Sequence, residues 1–204
     1  MHRFLEAIRT EKKLITIASL LFILAIVSGY LASGPAGEWL KQAGVWDQFI
    51  QKAKTIGKNP GWVDTFGLIF FNNLFASMTM IGTGLFFGFY PILGLVFNGV
   101  LVGVILGAAA EQSGIHPLIL FVTQILPHGI LELPAVILAA AYGIRLGILV
   151  FQSVIGLGSP RLRQANRKAW SDYLGRITPL LAGMVVMLAA AAVIESGLIV
   201  FFAK

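Results

Sequence analysis

From Leu14 to Ser33 the chain runs for 20 residues without a charged side chain, the length an α-helix needs to cross the hydrocarbon core of a bilayer. A lipid-exposed segment of that kind has to pair every backbone amide internally, which makes it helical. Further apolar runs follow at Thr65 to Phe89, Pro91 to Ala110, Leu118 to Leu157 and Thr178 to Phe202. They predict an all-α, polytopic membrane protein with about five transmembrane helices, a single integral membrane domain over residues 1–204. Composition agrees, with 57% hydrophobic residues against 12% charged and a mean hydropathy of +0.86, well outside the range of soluble domains. No stretch is left to hold a large catalytic or nucleotide-binding domain. The absence of cysteine excludes disulfides, thiolate zinc sites and thiol catalysis.

The net charge of +6 belongs to the segments between spans and not to a nucleic-acid surface. Arg3, Arg9, Lys12 and Lys13 fall on one side of a five-span chain together with Arg161, Arg163, Arg167, Lys168 and Arg176 of the loop at 159–177. Lys41, Lys52, Lys54, Lys58 and Lys204 fall on the other. The positive-inside rule therefore expects a multi-pass protein of the cell membrane with residues 1–13 and 159–177 cytoplasmic. The segment at 34–61 is expected outside, as an interfacial amphipathic helix: Trp39, Leu40, Ala43, Trp46, Phe49, Ile50, Ala53 and Ile56 recur at helical spacing.

The second and third spans, joined at Tyr90-Pro91, are expected to form an antiparallel hairpin. The fourth is the least regular. Pro127-His128-Gly129 interrupts it and Pro134 follows, which reads as a broken or re-entrant helix. Gly99, Gly103 and Gly107 repeat every four residues and line one face of the third span, allowing another backbone to approach closely. Gly84 with Gly88, and Gly143 with Gly147, do the same on the second and fourth. Such faces serve packing within a chain or an interface between copies, and a homodimer is the expected assembly.

Polar groups at membrane depth need a partner or a purpose. Asn72 and Asn73, Asn98, Gln124, His128 and Glu132 are the candidates, with Glu111 and Glu195 nearer span ends as interfacial anchors. His128 and Glu132 are four apart, so they share a helix face. A carboxylate there fixes the imidazole tautomer, favours its protonated form or shares a metal with it. The pair serves equally as a structural clasp. It supplies only two of the three protein ligands of a catalytic zinc, and the H-E-x-x-H pattern is absent. No serine has a nucleophile-elbow context. No catalytic residue and no cofactor are expected. Arg145 lies thirteen residues from Glu132, about 20 Å by helical rise, too far for contact, and its partner is not readable from the sequence.

The block Pro127-His128-Gly129-Ile130-Leu131-Glu132-Leu133-Pro134-Ala135, with Phe97-Asn98-Gly99 and Asn72-Asn73 before it, resembles the stage II sporulation protein M family. The resemblance covers nearly the whole chain and maps its motif positions onto Asn98, His128 and Glu132. It implies a non-enzymatic membrane component of a cell-envelope complex with peptidoglycan-degrading partners. A different class of function, transport of a small solute, ion or lipid headgroup through the His128, Glu132 and Asn98 cluster, fits the same residues. Either way the partners expected are membrane lipids, further copies of the chain and envelope proteins.

Overall fold

The computed structural model describes residues 2–44 and 61–202. Its helices are α1 (His2–Thr10), α2 (Lys12–Leu31), α3 (Ser33–Gln42), α4 (Trp62–Gly82), α5 (Phe89–Ser113), α6 (Pro117–Leu120), α7 (Leu126–Ile155) and α8 (Pro160–Phe202). Among the described residues, five helical segments are long and apolar enough to cross a membrane: those containing α2, α4, α5, α7 and α8. The protein is all-α and polytopic. The α7 span is the central one, with 56% of its most apolar window buried against 28% or less in the others. It packs on α2, α4, α5 and α8, and Ala139, Ala140, Ala141, Tyr142 and Leu149 are fully shielded.

The glycine stripe on α5 is covered by α2 of the same chain. A Cβ added at Gly99 would sit 2.7 Å from the Ala25 methyl and 2.9 Å from the Phe22 carbonyl oxygen, and one at Gly103 would overlap the Ile26 carbonyl. Gly107 abuts Ser33, and Gly29 of α2 answers with its own close approach to Val100. Lipid offers no hydrophobic drive between helices, so backbone contact of this kind supplies the attraction. Gly99, Gly103 and Gly107 are thus a helix-packing face whose partner is internal. A dimer contact through this stripe, the alternative that the spacing left open, finds no room on it.

The second and third spans are consecutive, as expected, but they touch each other little. Instead the turn between them rides on α7. Gly84 meets Gly143, Gly88 meets Ile144 and Gly147, and the Phe87 ring meets Phe151 edge-on at 6.3 Å. The close approach fixes the backbone there: Gly88 has φ 76°, and Phe87 is held at φ 56°, a left-handed conformation rare for an aromatic residue. Splaying leaves a cleft of about 800 Å³ between α3, α4 and α5.

Three expectations meet a different structure. The fourth span is not interrupted at Pro127–Gly129: α6 continues through a π-turn at Phe121–Ile125 into α7. Pro127 stands in the first turn of α7, where its missing N–H matters least, and the change of register falls one turn earlier. Residues 160–177, expected as a loop, are helical and continuous with the last span. Leu, Arg, Gln, Lys and Ala favour helix there, and Pro179 is tolerated within it. Of the segment expected outside, α3 packs along α5, with Ser33 beside Gly107 and Gly37 facing Val104, while residues 45–60 lie outside the described ones.

The end of α7 and the start of α8 form a helical hairpin extending past the α4–α5 turn, by about 12 Å from Gly147 to Ile155 at 1.5 Å per residue. Ser153 staples it. Its Oγ accepts from Asn166 Nδ2 at 2.6 Å and Trp170 Nε1 at 2.9 Å, while donating to the Leu149 carbonyl at 2.8 Å. Ser153→Ala strands two donors on α8 and is expected to destabilise the protein by about 1–3 kcal/mol, with a red shift of Trp170 fluorescence as water reaches the indole.

Candidate functional site

Of the polar residues singled out in the sequence, Asn72 and Asn73 touch, Asn72 Nδ2 donating to Asn73 Oδ1 at 3.3 Å on α4. Asn98 donates Nδ2 to the Gly94 carbonyl of its own helix at 2.9 Å. It lines the cleft beside Trp39, Phe75, Thr79, Phe97 and Leu101, and no α7 residue appears among the described lining. His128 and Glu132 stand one turn apart on α7, with Glu132 half-buried. The His128 side chain, like that of Gln124, lies outside the described ones. Counting outward from the Pro91–Gly143 contact, helical rise puts His128 about 12 Å further along than Asn98. The motif residues therefore occupy separate levels of the bundle.

A second polar cluster was hidden from sequence reasoning. Helix α1 is amphipathic: Phe4, Ala7 and Ile8 face the protein while Arg3, Glu6 and Arg9 face out. It lies across α7 and α8, with Phe4 against Gly183 and the Ala7 carbonyl accepting from Tyr142 Oη at 3.1 Å. At the bend between α1 and α2 stands Glu11, only 8% exposed. Its Oε1 lies 3.3 Å from Arg145 Nε of α7 and 4.0 Å from Arg176 Nη1 of α8. Tyr173 closes the floor, donating Oη to the Tyr142 carbonyl at 3.3 Å.

Arg145 thus has its partner, at the α1–α2 bend. The signal in the sequence was an acidic residue between Arg9 and Lys12, together with an arginine inside a span. Neither shows the pairing, which depends on α1 folding back onto α7 and α8. Electrostatically the cluster carries two guanidiniums on one carboxylate oxygen, and Arg145 Nε, though close to Glu11, is buried without hydrogen-bond geometry to any acceptor among the described residues.

The sequence pattern of the family described as "Stage II sporulation protein M" matches residues 18–198. An uncharacterized protein of Methanocaldococcus jannaschii is 36% identical over 81 residues, which cover 40% of this chain and 44% of that protein. The match thus spans less than half the length of that relative. No solved structure matches the chain.

Proposed function

The chain belongs to the stage II sporulation protein M family, and from that premise we propose that it is a non-enzymatic scaffold of a cell-envelope complex in the cell membrane, assembled as a homo-oligomer, with its N-terminus cytoplasmic. The observation that carries this reading is the stiff hairpin of α7 and α8. It reaches past the α4–α5 turn, is cross-linked through Ser153, and presents Arg161, Arg163, Arg167 and Lys168 to solvent. A scaffold needs a rigid surface held clear of the bilayer, and the same charge bias supports the cytoplasmic assignment.

In native membranes treated with a mild cross-linker, the chain is expected to migrate in assemblies larger than a single copy. Reversing Arg163 and Arg167 to Glu should shrink those assemblies while leaving the unfolding temperature within about 2 °C, since surface substitutions stay within roughly 0.5 kcal/mol. Unchanged assemblies would remove the hairpin from the proposal. The transport reading draws on the cleft reaching Asn98. It would displace the scaffold if the chain ran alone and its proteoliposomes showed a solute flux abolished by Asn98→Leu.

A further inference from the structure

We propose that Arg145 and Arg176 hold the phosphodiester of an anionic membrane lipid, in the leaflet on the side of α1 and the α7–α8 hairpin. The proposal does not rest on the scaffold reading. It starts from a mismatch of donors and acceptors. Two guanidiniums offer ten N–H donors, yet among the described residues the ion pairs they make go to one oxygen of one carboxylate, at 3.3 and 4.0 Å. The two tyrosine hydroxyls of the cluster do not offset the charge, because Tyr142 and Tyr173 donate to backbone carbonyls. Among the described residues, the three ionised side chains of the cluster therefore sum to one positive charge, in surroundings where an unbalanced charge is costly. The arginine side chains are 27% and 30% exposed, enough for a headgroup to reach them.

The level of the site selects the ligand. Arg145 lies between Gly143 and Gly147, which touch the α4–α5 turn. That turn and the start of α5 expose Phe86, Phe89 and Tyr90, an aromatic group suited to the edge of the hydrocarbon. A phosphate at this height is most simply that of a lipid, whose acyl chains reach the hydrocarbon from there. Lys12 and Lys13 begin α2 next to Glu11 and add a diffuse positive field. Planar, forked guanidiniums recognise two phosphate oxygens at once, which a lysine cannot do.

The test titrates the purified full chain in neutral detergent with phosphatidylglycerol, phosphatidylcholine or inorganic phosphate, reading retained lipid by native mass spectrometry and the unfolding midpoint in parallel. Phosphatidylglycerol is expected to be retained and to raise the midpoint, with phosphatidylcholine weaker and inorganic phosphate without effect. Arg176→Gln should weaken phosphatidylglycerol about tenfold or more, the loss expected for a charge-assisted hydrogen bond. Arg163→Gln with Arg167→Gln on the hairpin should change it less than about threefold, as contacts at an exposed surface contribute little. Arg176→Gln leaves the Arg145–Glu11 pair in place, so it reads the site even if Arg145→Gln does not fold, and Arg176→Lys, which keeps the charge but not the fork, should fall between. The proposal is overturned if Arg176→Gln binds like the unaltered chain, if the hairpin variant loses as much, or if inorganic phosphate alone reproduces the stabilisation, which would make this a soluble-anion site.

Discussion

Gly103→Leu is expected to yield no monodisperse protein after solubilisation, and Gly103→Ala to lower the unfolding free energy by about 3 kcal/mol, the upper range for overpacking. A single methyl at Gly103 overlaps the Ile26 carbonyl oxygen and comes within 2.6 Å of the Tyr30 amide nitrogen. Both are backbone atoms of a helix, so no rotamer change relieves the clash and the α2–α5 pair has to separate. The control is Gly67→Ala on α4. Nothing lies within 4 Å of a Cβ there, so the same substitution should be neutral or stabilise by about 0.5–1 kcal/mol through helix propensity. Size-exclusion profiles after graded heating separate these outcomes. Equal behaviour of the two variants would contradict close α2–α5 packing.

Glu11→Ala should be the next most damaging change, at about 3 kcal/mol. Removing one member of a buried ion pair typically costs 3–5 kcal/mol because the other charge is left without compensation. Here two arginines are left, but their side chains are 27% and 30% exposed and solvent moderates the loss, hence the lower end. The double variant Glu11→Ala with Arg145→Ala should lose clearly less than the sum of the single losses, since the two side chains act as one unit. Additive losses would mean that the 3.3 Å approach contributes no coupling. Trypsin offers a second readout: with α1 released from α7 and α8, cleavage after Arg9 should quicken.

Much of the architecture was legible from runs of apolar residues, because lipid admits few backbone solutions and a span announces itself by length. The glycine stripes were legible as close-packing faces for a related reason, a period of four having few other uses. Which helix fills each stripe was not legible. Gly103 pairs with α2 and Gly84 with α7, and nothing in the spacing distinguishes either from a second copy of the chain. Turn chemistry misled at Pro127: a proline in the first turn of a helix leaves it intact, and the adjoining π-turn has no residue signature.

The candidate site divides in the same way. His128 and Glu132 stand one turn apart on α7 because four residues separate them, a local fact that spacing carries. Asn98 was grouped with them because all three are polar at depth, yet it satisfies itself on its own helix, in a cleft between α3, α4 and α5. The order was reversed for Arg145. Helical rise correctly excluded Glu132 as its partner, and the true one, Glu11, sits 134 positions earlier in what reads as a basic tail.

What the sequence determined by itself is therefore the solvent of each segment: five stretches suited to lipid, a basic side, glycine faces that demand close neighbours, and a family whose pattern spans most of the chain. Only the tertiary structure decided which faces meet. Periodicity along one helix records where a side chain points, but contacts between helices depend on how rigid rods cross. The fold-back of α1 that joins Glu11 to Arg145 and Arg176 is a property of that crossing.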